Sequence, residues 1–256
     1  MEKFALITGA SSGIGEATAK ALAAQGFSLL LLARRLQGLE KLRDDINSRF
    51  PSLRVIIDQV DVRDRQQVDD FYQKRQAEIK NLEVLFNNAG LARGMDKLQE
   101  ANLDDYDEMI DTNIKGLLAV TRAVLPALVA KKAGHIINMG SAAGRWVYPG
   151  GSVYCASKAA VVSITEGLRM DLLGKNIRVT NIEPGMVQTE FSTVRFKSQE
   201  RADQVYAGMK PLTAEDIAET ISWVVSRPPH VNVQELVIYP TEQASVRDIA
   251  RDVSRS

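Results

Sequence analysis

The strongest constraint on the fold is a rhythm. Short β-branched or leucine-rich runs at Phe4–Thr8, Ser28–Ala33, Arg54–Val60, Leu82–Phe86, His135–Met139, Arg178–Ile182 and Leu236–Tyr239 read as strands. Between them lie Gly13–Gln25, Leu36–Phe50, Arg65–Lys80, Leu103–Lys131, Val153–Leu173 and Ala214–Ser226, where apolar residues recur near helical spacing. Strand then helix, repeated, lays consecutive strands parallel, because each helix carries the chain back to the edge where the last strand began. The expectation is an α/β fold: one doubly wound domain over residues 1–256, with a parallel sheet of about seven strands and helices on both faces. No linker divides the chain, and at this length roughly three quarters of its surface can be buried.

Three places depart from the rhythm. Asn113-Ile114-Lys115-Gly116 and Pro126 interrupt the Leu103–Lys131 stretch, so a break or kink is expected at one or the other. From Pro184 to Met209 the pattern dissolves into Gly, Thr, Ser and charge, which suits a substrate lid over about residues 185–210. The tail, about 241–256, is polar and reads as poorly ordered or dependent on a partner.

Composition narrows the functional classes. Thirty-two basic side chains balance 32 acidic ones, so no global field draws the chain to nucleic acid or an anionic membrane. Cys155 is the only cysteine, which excludes an intramolecular disulfide and a thiolate zinc cluster, and fits a reducing compartment, the cytoplasm. It reads as a small buried hydrophobe. His135 and His230 have no ligand-spaced partners, so no metal is expected and both read as structural. The N-terminus carries no basic segment followed by a long apolar run, and no membrane association is expected.

The first strand runs directly into Thr8-Gly9-Ala10-Ser11-Ser12-Gly13-Ile14-Gly15, which opens a helix. Glycines at 9, 13 and 15 let the backbone approach a pyrophosphate, while the helix start offers free N–H groups and a positive dipole end, and Ser11, Ser12 and Ile14 complete the loop. A tight turn alone would need no such context. After the second strand, where an NAD enzyme would place an acid, stand Arg34 and Arg35. Guanidinium forks bind a 2′-phosphate, so NADP is the expected cofactor; the alternative is a solvated basic helix start, which the dipole opposes. Asp61-Val62 and Asn88-Ala89-Gly90 follow the next two strands. Asp61 either holds the adenine amino group or caps the next helix.

Tyr154 and Lys158 lie four apart on a helix, hence on one face. Taking a phenol from a pKa of ~10 to near neutrality requires about 4 kcal/mol of preferential stabilisation, a plausible demand on a nearby ammonium and a positive nicotinamide. Tyr154 is then the acid and base, Ser141 the hydrogen-bond partner of the substrate oxygen, and Asn113 the support of a helix kink and of water at Lys158. Singly, each residue also fits a core, cap, turn or surface role.

Thr8-Gly9-x-x-x-Gly13-Ile14-Gly15, Asn87-Asn88-Ala89-Gly90, Asn113, Ser141, Tyr154-x-x-x-Lys158 and Pro184-Gly185 together resemble the short-chain dehydrogenase/reductase family over nearly the whole chain. The resemblance implies a Rossmann-like domain, no metal in the chemistry, an Asn-Ser-Tyr-Lys tetrad and commonly a homotetramer. It also brings Pro184, Gly185, Val187 and Thr189 to the cofactor. Met109–Asn113, Thr121–Pro126, Ile182–Gly185, Thr189–Phe196 and Pro229–Val233 are similar to bacterial NADP-dependent 3-hydroxy acid dehydrogenases that oxidise serine and allo-threonine, a subgroup that includes reductases of small acidic aldehydes such as sulfoacetaldehyde. The implied reaction moves a hydride between NADP(H) and a small 3-hydroxy acid or the matching semialdehyde or ketone; a reductase of neutral ketones and a non-catalytic NADP-binding protein are the alternatives. A small anionic substrate needs a cation, and Arg145 and Arg195 are the best placed, unless they serve surface salt bridges. Arg145-Trp146-Val147-Tyr148-Pro149 reads as a pocket wall or as core. The apolar stripes of Leu117–Leu128 and Val161–Leu172 belong to the core or to subunit contacts.

Overall fold

In the computed structural model, which describes residues 2–252, strands β1 (Phe4–Thr8), β2 (Ser28–Ala33), β3 (Val55–Gln59), β4 (Leu82–Asn87), β5 (Gly134–Met139), β6 (Ile177–Pro184) and β7 (Glu235–Ile238) form one sheet in the order β3-β2-β1-β4-β5-β6-β7. Every neighbouring pair is parallel. The winding reverses at β1, where Ile7 pairs with Leu31 of β2 on one side and Phe86 of β4 on the other. Crossovers leave on opposite faces from that point, so a crevice opens at the carboxyl ends of β1 and β4.

The strands are apolar on both faces because both are covered. On β1, Ala5 and Ile7 enter one core with Leu22 of α1 (Gly13–Ala24), Leu39 and Leu42 of α2 (Leu36–Arg49) and Ile217 of the helix Ala214–Val225. Phe4 and Leu6 enter the opposite core with Val68 and Phe71 of α3 (Arg65–Lys74). The helical stretch expected over Arg65–Lys80 breaks at Arg75, leaving α4 (Gln76–Ile79) as a separate turn.

Of the two expected interruptions, the first is real. α5 (Leu103–Ile110) passes into a widened π turn, Asp111–Gly116, and then into α6 (Leu117–Lys131), which continues through Pro126. By length and composition Leu103–Lys131 is apolar enough to cross a membrane, a property shared by core helices; here Val120, Val124 and Leu128 pack beneath the sheet. α7 (Ser152–Asp171) follows β5.

The segment after β6 holds order that its composition conceals. α8 (Glu190–Phe196) begins at Thr189, whose hydroxyl accepts from the Phe191 N–H, and α9 (Gln199–Tyr206) begins at Ser198, whose hydroxyl accepts from the Arg201 N–H. α10 (Ala214–Val225) then completes a capping box between Thr213 and Asp216. The expectation of a poorly ordered tail is corrected over its described part. Gln243 is buried and accepts from the Met186 N–H, Arg247 donates to the Val147 carbonyl, and the Asp252 N–H donates to Gly208. Backbone and polar anchors hold this tail, and hydrophobic periodicity does not register them. Residues 253–256, part of the same expectation, lie outside the described residues.

Candidate active site

The crevice is a cleft of about 750 Å³ roofed partly by α8, α9 and the tail, within the range of small-molecule and cofactor sites. Its floor is the row of loops after β1 to β6. Gly9, Ser11, Ser12, Gly13 and Ile14 line it after β1, Arg34 and Arg35 after β2, Asp61 and Val62 after β3, and Asn88, Ala89 and Gly90 after β4. Pro184, Gly185, Val187 and Thr189 line it after β6.

The β1 loop is shaped for close backbone approach. Gly9 has φ +64°, and a Cβ there would sit 2.9 Å from the Ala89 Cα. Gly15 does not line the cleft; a Cβ on it would meet the Gly9 carbonyl oxygen at 2.4 Å, so its bareness lets α1 pack against the loop. Asn88 fastens the arrangement, its Nδ2 donating to the carbonyls of Thr8 and Gly9 at 3.0 and 3.1 Å. The Ser12 side chain does not cap α1, and Gly13 and Ile14 at the helix start line the cleft beside this cradle, so the residues present fit a dinucleotide pyrophosphate.

Arg34 and Arg35 flank the same end. Arg35 donates to Ser12 Oγ at 2.6 Å and pairs with Glu190 at 2.8 Å; Arg34 meets Glu108 at 3.5 Å. Asp61 is not a helix cap: α3 is capped by Asp64, which accepts from Gln66 and Gln67. Burial pushes the Asp61 carboxyl up, but hydrogen bonds from Arg63 hold it below the usual carboxylate value.

At the other end, β5 delivers Ser141 and α7 delivers Tyr154 and Lys158, all three lining the cleft. Ser141 lies close enough to the Tyr154 hydroxyl to favour its ionised form, and its Oγ accepts from the Ala143 N–H at 3.1 Å. Lys158 is buried and its Nζ donates to the Met139 carbonyl at 2.8 Å; burial lowers its pKa to about 8. Asn113 stands behind the cleft in the π turn. Its Oδ1 accepts from the Leu91 N–H, and its Nδ2 donates to the Leu91 carbonyl and to Ser157 Oγ. Asn113 Oδ1 and Lys158 Nζ converge on Gly90, where a Cβ would lie 3.2 and 3.4 Å from them.

The expected lowering of the Tyr154 pKa counted on a positive nicotinamide as well as Lys158, and on balance the protein's own groups act in the other direction. Burial, the largest influence, raises the phenol pKa, Tyr148 adds to it, and Ser141 and Arg195 oppose without overcoming it. Desolvating a phenolate costs more than the protein's own groups return.

The two candidate substrate cations separate cleanly. Arg145 does not line the cleft; its guanidinium forks onto Glu183, a fully buried carboxylate of β6, and onto Glu235 of β7. Its expected substrate contact is corrected: the charge is neutralised by two acids, which raise its pKa further. Arg195 lines the cleft, donates from Nε to the Gly94 carbonyl and from Nη1 to Tyr148 Oη, both at 2.9 Å, and stands 5.7 Å from the Tyr154 ring centre. Its Nη2 is buried without a hydrogen-bond partner, and among the described residues no carboxylate pairs with it. Of the expected pocket wall, Tyr148 and Pro149 line the cleft while Trp146 and Val147 are exposed. The role of the Tyr148 hydroxyl in fixing Arg195 is not legible in the sequence, nor are Glu190 and the tail residues Gln243, Val246 and Ile249, which also line the cleft.

The short chain dehydrogenase family model matches residues 3–200. The NADP-dependent 3-hydroxy acid dehydrogenase YdfG of Escherichia coli (strain K12) is 44% identical over 241 residues, 93% of this chain and 95% of that protein. Sulfoacetaldehyde reductase 2 of Chromohalobacter salexigens is 45% identical over 246 residues, covering 95% and 96%. The solved closed form of serine dehydrogenase complexed with NADP+ superposes with a TM-score of 0.90 at 43% identity, over 94% of this chain and 96% of that one.

Proposed function

The chain belongs to the short-chain dehydrogenase/reductase family, and on that premise we propose that it transfers a hydride between NADP(H) and a small 3-hydroxy acid or the corresponding semialdehyde or ketone. NADP, when bound, supplies or accepts the hydride. Gly9, Ser11, Ser12, Gly13 and Ile14 would hold its pyrophosphate, Arg34 and Arg35 its 2′-phosphate, and Asp61 and Val62 its adenine. Asn88, Ala89, Gly90, Pro184, Gly185, Val187 and Thr189 would line the path to the nicotinamide end. Ser141 orients the substrate oxygen, and Tyr154 takes the alcohol proton in oxidation and returns it in reduction. Lys158, still largely charged at neutral pH despite burial, steadies the phenolate form, and Asn113 fixes the Gly90–Leu91 backbone beside it.

The observation that carries the substrate class is Arg195. A guanidinium that lines the cleft with no carboxylate partner among the described residues, and with one buried N–H lacking a hydrogen-bond partner, has unspent capacity to receive an anion. It stands next to Tyr154, where the acid group of a short hydroxy acid would sit when its C3 oxygen meets the phenol. The similarity to YdfG and to the serine dehydrogenase supports a carboxylate; the similarity to the sulfoacetaldehyde reductase leaves a sulfonate as the second reading, since a guanidinium receives both. Rates with NADP(H) on serine, 3-hydroxypropanoate, sulfoacetaldehyde and a neutral ketone test it. Faster turnover of the neutral ketone than of every anion would overturn the anionic assignment. The same reading includes a cytoplasmic, homotetrameric enzyme in which residues 185–210 act as the lid.

A further inference from the structure

The two arginines at the phosphate end are both tied to the segment that covers the other end. Arg35 pairs with Glu190, the first residue of α8, at 2.8 Å. Arg34 meets Glu108, whose other oxygen accepts from Arg93 Nε at 2.7 Å; Arg93 Nη1 in turn donates to the Val194 carbonyl of α8 at 2.7 Å. Thus α8 is held at its first turn through Arg35, and four residues on through Arg93, Glu108 and Arg34. Glu190, Arg34 and Arg35 all line the cleft, so a dianion taken up by Arg35 has to displace or share the guanidinium with the Glu190 carboxylate.

We propose that Glu190 is an internal competitor for the cofactor's 2′-phosphate: it occupies Arg35 until that phosphate takes the guanidinium, and the exchange releases the first turn of α8. A phosphate of nearly two charges outcompetes one exposed carboxylate for a guanidinium fork. Once it binds, Glu190 is left beside a like charge and is pushed off. The adenosine end of the cofactor thereby signals to the cover of the substrate end. A nucleotide lacking the 2′-phosphate leaves Glu190 in place. The inference rests on the NADP assignment and adds a coupling to it.

Fragments of the cofactor separate the two ideas, because 2′,5′-ADP carries the phosphate but no nicotinamide. Hydrogen exchange of residues 190–196 should quicken when 2′,5′-ADP saturates the protein and stay unchanged with 5′-ADP. In Glu190→Gln the segment should already exchange fast, with neither nucleotide altering it. The same variant should bind NADPH about two- to five-fold more tightly, as expected for loss of one exposed ion-pair competitor, with NADH affinity unchanged. Tightening of both cofactors alike would reduce the effect to general charge and overturn the proposal. So would binding of 2′,5′-ADP without any change in exchange at 190–196. Failure of 2′,5′-ADP to bind would remove the NADP assignment and this inference together.

Discussion

Replacing Arg195 by methionine keeps most of the side chain's bulk and removes its charge. In the native cleft Nε and Nη1 already serve Gly94 and Tyr148, while Nη2 has no hydrogen-bond partner, so the guanidinium keeps capacity for a substrate anion. One charge-assisted hydrogen bond in a partly dry site contributes about 1.5–3 kcal/mol, so kcat/KM for an anionic substrate should fall roughly 10- to 150-fold. A neutral aldehyde of similar size makes no such bond and should lose little, and NADPH affinity, set at the far end of the cleft, should hold. Steady-state rates on 3-hydroxypropanoate and on a neutral aldehyde, with NADPH binding followed by fluorescence, give all three quantities. Equal losses on both substrates would mean that Arg195 only braces Gly94 and Tyr148, and that its unpartnered nitrogen does not receive the substrate anion.

Tyr154→Phe should retain NADPH binding while kcat drops by about 10²- to 10⁴-fold, the usual weight of a positioned acid and base; undiminished turnover would remove the phenol from the chemistry. Arg34→Ala should weaken NADPH much more than NADH in titrations, and equal weakening would contradict its pairing with a 2′-phosphate. The buried His135, bonded through Nε2 to Thr180, is held neutral by burial and by Arg178, with its pKa lowered to about 3. Since the unfolded chain binds that proton from near pH 6.5 downward and the folded one does not, stability should be full above 6.5 and decline between 6.5 and about 3. The ceiling of the loss is about 5 kcal/mol. Urea unfolding from pH 7 to pH 4 should show this slope, and a His135→Gln variant with the same slope would place its origin elsewhere.

How much of this is legible in the sequence varies with how local the governing interaction is. β1 and β2 lie at the expected residues because each is a fully buried apolar run with a turn after it. β7 lies one residue earlier than expected; its half-exposed edge position gives a weaker apolar signal. The glycine loop and Tyr154-x-x-x-Lys158 are short-range patterns, and the cleft gathers them as expected. α8 and α9 escape the apolar pattern because they are brief and rich in charge, although Thr189 and Ser198 stand ready as caps. Arg145 turns away from its expected role because its partners, Glu183 and Glu235, are 38 and 90 residues distant along the chain, and no spacing rule reaches that far. The phenol's raised pKa is likewise hidden: the pattern displays the ammonium, whereas desolvation belongs to the assembled cleft.

The π turn at 111–116 imposes a counting rule on this enzyme. An added residue in one turn rotates the remainder of the helix by about 100° relative to a regular one. Upstream, Met109 is thereby aimed at the cluster around Tyr154, while downstream Val120, Val124 and Leu128 are aimed beneath the sheet. Deleting a single residue here would give a more regular helix and a worse protein, since one of its two halves would then present the wrong side. Length changes in this segment are therefore tolerated only in compensating pairs, a stricter rule than any single side chain within it obeys.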